Sequence, residues 1–134
     1  MLKVTPISTS VLHTKDDLDE FLFQHLEGRL KNHQIVAITS KLVSVAEGRI
    51  VPRSEVEKTE LIKQQADMYL GEIGYGCHLT VKHGLMVASA GIDESNSEHD
   101  DFILYPEDPF ASAKRIHQAL KTQFGLEKFG VLLT

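Results

Sequence analysis

The sequence predicts an α+β domain with a mixed, partly antiparallel sheet of five or six short strands and about three helices. Three observations carry this reading. Helix-start chemistry stands at Asp16-Asp17, at Ser54 with Glu57, and at Asp108-Pro109, each followed by apolar residues at helical spacing. Short runs rich in β-branched residues lie between these segments. Alternating residues on both sides of His83-Gly84 read as two further strands.

Taken in order, residues 3–7 alternate weakly and suggest a first strand. With Asp16 or Asp17 as N-cap, Leu18, Phe21, Leu22, His25 and Leu26 form a helical stripe that ends at Gly28. Residues 34–39 (QIVAIT) read as a buried strand. Residues 40–48, small and polar, read as a loop or short helix at that strand's C-terminal end, and residues 49–51 return to extended structure before Pro52. Ser54 and Glu57 make a capping box for a helix running to Leu70, with Leu61, Ile62, Ala66 and Met68 or Tyr69 inward. Residues 71–76 read as loop. Residues 78–90 read as two strands around His83-Gly84, with Leu79, Val81, Leu85, Val87 and Ser89 alternating. An acidic loop fills residues 91–101, and residues 103–105 form a short strand. From Asp108 a helix carries Ala113, Ile116, Ala119 and Leu120 to Gly125, and residues 129–133 form the last strand.

Composition narrows the function classes. The 134 residues are 42% hydrophobic and 25% charged, which fits one globular domain over residues 1–134 rather than a disordered chain. The 19 acids outnumber the 14 Lys and Arg, for a formal charge of -5. A nucleic-acid binder needs clustered cations, so neither nucleic acid nor an anionic membrane surface is expected as a partner. No apolar run approaches the roughly 20 residues that span a bilayer. The lone Cys77 fits a reducing compartment, and the expected location is the cytoplasm.

Chemistry concentrates in two places. Residues 93–101 hold five acids in nine positions, oxygen donors suited to hard divalent cations. A calcium-loop reading fails, because Glu98 stands where the loop needs glycine and Leu104 where it needs glutamate. Runs of charge are usually solvated faces, but Asp93 follows the apolar and small residues 87–92 and belongs at the mouth of a buried strand. The second place is Ser40-Lys41, a hydroxyl and a cation at the C-terminal end of a strand, where open α/β sheets bind ligands. The Walker A pattern is absent there. Glu47-Gly48-Arg49 reads as a structural ion pair around a turn glycine. His78 and His83 have no spacing that completes a zinc set, and nothing near Cys77 activates it as a nucleophile.

Three blocks in order, residues 38–51 (ITSKLVSVAEGRIV), 83–96 (HGLMVASAGIDESN) and 104–120 (LYPEDPFASAKRIHQAL), resemble the coenzyme F-420 gamma-glutamyl ligase family. The resemblance covers nearly the whole chain and implies the N-terminal region of that fold. It implies an amide-forming ligase that adds L-glutamate to a carboxylate of the deazaflavin coenzyme precursor, with GTP as co-substrate and Mg²⁺ or Mn²⁺ as cofactor, working as a homodimer. By the same resemblance Asp93 matches a metal ligand, Asn96 a nucleotide contact, and Ser40 and Lys41 the segment touching the nucleotide phosphates. A carboxylate is a poor electrophile, so such a ligase first phosphorylates it and then lets the amine displace phosphate. Cations near the phosphates offset charge as it moves.

Where the family reads S-K-A-E-G-R, this chain has Ser44-Val45-Ala46-Glu47-Gly48-Arg49, so a lysine near the phosphates is Val45 here. Either Lys41 compensates or the nucleotide is lost or changed. The lead-in to the first helix is Lys15-Asp16-Asp17-Leu18 rather than Gly-Asp-Asp-Leu, and the family's contacts there are not carried over. The competing reading is a non-catalytic or repurposed nucleotide- and metal-binding member of the same fold. The last strand resembles the one before the family's Asp-Thr signature. The expectation is therefore the N-terminal part of a longer protein, with the 134 residues alone inactive.

Overall fold

The computed structural model describes residues 1–14, 16–94 and 101–134. Helix α1 (Leu18–Leu26) starts at Asp17, whose side chain accepts the Glu20 N–H at 2.9 Å. It buries Leu18, Phe21, Leu22 and Leu26. Strand β1 (Ile35–Ile38) follows, then helix α2 (Ser40–Ala46) and strand β2 (Ile50–Val51). Helix α3 (Lys58–Gln65) leads into three antiparallel strands, β3 (Met68–Gly74), β4 (Cys77–Lys82) and β5 (Leu85–Ala88). Strand β6 (Phe102–Ile103), helix α4 (Pro109–Phe124) and strand β7 (Gly130–Leu133) complete the described chain.

The class is α+β, as expected, with three separate small sheets among the described residues. β1 pairs in parallel with β7, Ile35 opposite Gly130 and Ile38 opposite Leu133. β2 pairs antiparallel with β6, and β3, β4 and β5 form the third sheet. Helices α1, α2 and α4 close over one face of β1–β7. The core there comprises Leu18, Leu22, Leu26, Val36, Ile38, Val43, Ile116 and Leu120, among others. Asp108 caps α4 by accepting the Ala111 N–H at 2.9 Å, with Pro109 in the first turn, and Gly125 ends it in the left-handed conformation. A second core of Leu61, Phe102 and Leu104 joins α3 to β6, with Val51, Val56 and Ile92 packed against it.

Several expectations are corrected. Residues 3–7 form no strand, and α2 makes a fourth α-helix among the described residues. β1 is buried on one face only, with Ile35 exposed. The N-cap of α3 is Glu57 itself, which accepts the Glu60 N–H at 3.0 Å, so the helix begins later than a Ser54 cap would start it. Backbone N–H groups at Thr59 and Glu60 hold the Glu57 carboxyl below its ordinary pKa. The helix also stops at Gln65 rather than Leu70. Asp67 donates its N–H to the Val81 carbonyl at 2.9 Å and Met68 pairs with Val81, so strand pairing overrides a spacing that also fits a helix. Residues 71–74, read as loop, belong to β3.

The buried face of β4 is its polar one. His78, Thr80 and Lys82 are the buried residues, while Leu79 and Val81 are half-buried. Each of these three side chains has a partner. The Tyr69 hydroxyl lies 3.0 Å from His78 Nδ1, Thr80 Oγ1 donates to the Val87 carbonyl at 2.6 Å, and Lys82 Nζ donates to the Gln65 carbonyl. Hydrogen-bonded partners are what make burial of such groups tolerable.

Candidate functional site

The site forms where α2 meets the segment after β5. Helix α2 begins directly after β1, and the Ser40 N–H donates to the Thr134 carbonyl at 2.8 Å, fastening the helix start to the end of β7. Ser40 and Lys41 thus sit, half-buried, at the C-terminal end of the parallel pair, as the sequence anticipates. Opposite them stands Asp93, whose backbone exchanges two 2.8 Å hydrogen bonds with Ile103. Lys41 Nζ lies 3.1 Å from Asp93 Oδ2, with side chains 23% and 35% exposed. Two residues 52 positions apart in sequence therefore meet. Asn96 lies outside the described residues.

Glu94 extends this charged edge. Arg53 reaches it at 3.2 Å, and Lys58 pairs with its other oxygen. The Arg53 guanidinium also stands 4.8 Å from the centre of the Phe102 ring. Neither Arg53 nor Lys58 carries a local sequence signal, because their partner lies more than thirty-five residues further along the chain. Lys41, Arg53 and Lys58 thus place three cations against the carboxylates of Asp93 and Glu94.

The approach to Asp93 is unusual backbone. Ser89, Ala90 and Gly91 all take positive φ, 48°, 54° and 74°. Three consecutive left-handed residues, two of them not glycine, cost about 1 kcal/mol each for the non-glycine pair. Such strain persists only where surroundings over-determine it, and here they do. Thr80 Oγ1 accepts the Ala90 N–H at 2.8 Å, and the His78 N–H donates to Ser89 Oγ at 3.3 Å. The ring of Tyr105 lies against the bare α-carbon of Gly91, where a β-carbon would fall 2.5 Å from Cδ2.

Glu47 and Arg49 do not form the expected ion pair. Glu47 accepts the Glu107 N–H at 3.0 Å and the Ser112 hydroxyl at 2.8 Å, which ties the turn after α2 to the start of α4. Arg49 donates from Nε to the Tyr105 carbonyl at 2.7 Å and from a terminal nitrogen to Gln65 Oε1 at 3.0 Å. Both residues are brackets for the segment that carries Tyr105. The sequence pairs them because they flank a turn, but each points to a different element. Beneath them Lys82 is buried, and desolvation, helped by the nearby Arg49 charge, lowers its pKa from 10.5. The unfolded chain therefore binds more protons, so this group's contribution to stability rises as pH climbs from the lowered value toward 10.5. Val45 packs, half-buried, against the core of α1, β1 and α4.

The three sequence blocks therefore converge physically. Block one meets block two through Lys41 and Asp93, and block three through Glu47 and Arg49. Block two meets block three through Gly91 and Tyr105. A family model for F420-0:gamma-glutamyl ligase matches residues 6–134. The chain belongs to that family. Among curated proteins it is similar to the coenzyme F420:L-glutamate ligase of Methanopyrus kandleri, 30% identical over 89% of this chain and 53% of the relative. The protein of the same name from Methanosarcina barkeri is 30% identical over 92% of this chain and 54% of that relative. A third, from Natronomonas pharaonis, is 29% identical over 81% of this chain and 51% of its own length. The chain spans about half the length of the curated relatives it matches. Among the described residues, no helix is long and apolar enough to cross a membrane.

Proposed function

We propose that this F420-ligase-family chain contributes to a GTP- and divalent-metal-dependent amide ligase. Its reaction joins the α-amine of L-glutamate to a carboxylate of the deazaflavin coenzyme F420 precursor, in the cytoplasm. The observation that carries this reading is the 3.1 Å meeting of Lys41 and Asp93 at the end of the parallel strand pair. A half-exposed ion pair contributes only about 0–1 kcal/mol to stability, so folding gives little reason to place a cation and a carboxylate there. Handling of phosphate and metal gives a direct one.

In this reading the precursor carboxylate attacks the terminal phosphorus of GTP and GDP departs. The glutamate amine then attacks the acyl carbon, forms the C–N bond, expels inorganic phosphate and loses a proton. Lys41 offsets phosphate charge, and Ser40 supplies a hydroxyl beside it. Asn96, by resemblance, contacts the nucleotide. Asp93 is the residue here that fits Mg²⁺ or Mn²⁺. Its carboxylate is a hard oxygen donor that already faces a cation, although among the described residues no group of three potential ligands is gathered. A bound metal supplies neutralisation of phosphate oxygens.

The ion pair yields a test with effects of opposite sign. A cation bound at Asp93 competes with the Lys41 ammonium, which in this reading turns toward phosphate. Lys41→Met should tighten Mn²⁺ binding by up to about fivefold, the worth of the lost competing pair. The same substitution should weaken GTP binding by at least about tenfold, through loss of a charge-assisted contact. Titration calorimetry reads both. Unchanged affinity for both ligands would contradict the assignment.

The homodimer is part of the same proposal, and the open face of β3–β5 supports it. Met68, Val81 and Met86 align in one row across the three strands, and Met68, Leu70, Ile73 and Met86 are exposed. Contiguous exposed apolar surface of this kind marks an interaction surface. Light scattering of the full-length protein should give twice the chain mass, and Met86→Asp should shift it to the monomer. A monomeric wild-type protein would refute this part.

A further inference from the structure

We propose that Thr80 is a positioning residue for Asp93, acting through the left-handed turn at residues 89–91. This rests on the reading of Asp93 as a metal ligand and adds a residue that the motif blocks do not contain. Thr80 is fully buried in the middle of β4. Its hydroxyl donates to the Val87 carbonyl at 2.6 Å and accepts the Ala90 N–H at 2.8 Å. A single oxygen thus ties the end of β5 to the middle residue of the turn. Ala90 is itself fully buried with φ of 54°, a conformation it would leave without that bond or an equivalent constraint.

The turn's output is the direction of the chain at Ile92 and Asp93. From the far side, Tyr105 closes on Gly91, and the two backbone hydrogen bonds between Asp93 and Ile103 set the register of the last step. Thr80 and Tyr105 therefore hold the turn from opposite sides. With both in place, Asp93 is delivered to Lys41 rather than left on a free loop. The chemistry also explains why a polar residue occupies the buried face of β4. Valine has the same shape as threonine but neither donates nor accepts, so it would leave the Val87 carbonyl and the Ala90 N–H without this partner.

The test uses the full-length protein with Mn²⁺ as the probe, followed by electron paramagnetic resonance. Thr80→Val should raise the Mn²⁺ Kd by about tenfold, the lower end of what supporting residues of metal sites are worth. Thr80→Ser, which keeps the hydroxyl, should stay within about threefold of wild type. A purely structural role would lower the Tm of Thr80→Val and leave the Kd of the folded protein unchanged, and that result overturns the proposal. Amide hydrogen exchange gives a readout that needs no metal. Protection of the Asp93 N–H should fall in Thr80→Val and be retained in Thr80→Ser, and equal protection in both overturns the positioning role. Should Thr80→Val not fold, Thr80→Ala carries the same two measurements. Failure of the metal reading is distinct, since wild type and Asp93→Asn would then bind Mn²⁺ equally while the exchange difference remained.

Discussion

Asp93→Asn is expected to weaken Mn²⁺ binding by at least about a hundredfold and to leave the fold almost untouched. The first part follows from chemistry. Amide oxygen carries no net charge, and replacing even a supporting residue of a metal site typically costs about 10–100-fold in affinity. The second part follows from what Asp93 does in the fold. Its structural contacts with Ile103 are made by the backbone, which the substitution leaves in place. The side chain's salt bridge to Lys41 is partly exposed and contributes about 1 kcal/mol at most. Thermal unfolding should accordingly shift by no more than a few degrees. Equal Mn²⁺ affinity in the folded variant and the wild type would remove Asp93 from the proposed metal site.

The second large effect is on stability. Gly91→Ala should lower stability by about 2–4 kcal/mol, on the order of 10 °C in Tm. Two penalties combine. A left-handed φ of 74° costs an alanine about 1 kcal/mol. The new β-carbon would also fall 2.5 Å from Cδ2 and 2.9 Å from Cγ of Tyr105. That ring cannot simply withdraw, because the Tyr105 carbonyl is held by Arg49. Gly125 is the internal control. It has φ of 63° and nothing within 4 Å of a β-carbon, so Gly125→Ala should show only the conformational penalty of about 1 kcal/mol. Equal losses for the two substitutions would mean that the Tyr105 contact is not a constraint.

Much of the helical framework was legible in the sequence, because its signals are local. Asp17 and Asp108 announce α1 and α4, and Gly125 announces an end, through hydrogen bonds spanning only a few residues. The errors lie where a distant segment decides. Residues 66–70 continue an apolar spacing that suits a helix, yet Val81 recruits Asp67 and Met68 into a sheet. Periodicity gives β4 two faces but not which of them is buried. His78, Thr80 and Lys82 are buried because Tyr69, Ala90, Val87 and Gln65 satisfy their polar atoms, and no property of β4 alone reveals those partners.

The candidate site divides in the same way. Lys41 and Asp93 could be singled out individually, one at a strand end and one at the edge of an apolar run. Their meeting depends on the β2–β6 pairing and the left-handed turn, which spacing does not encode. The sequence blocks were informative because each carries one side of several contacts. Glu47 and Arg49 are the clearest case: separated in sequence only by Gly48, they fasten two different parts of the third block.

On the proposed reading, this family member takes part in GTP-driven glutamate ligation through a site that includes Lys41 and Asp93. The most direct measurement incubates the full-length protein with GTP, Mn²⁺, L-glutamate and the deazaflavin coenzyme precursor, and follows phosphate release beside product mass. The prediction is phosphate release that requires the precursor, matched by a mass gain of one or more glutamyl groups and lost in Asp93→Asn. No phosphate above background and no glutamylated product with any precursor would contradict it.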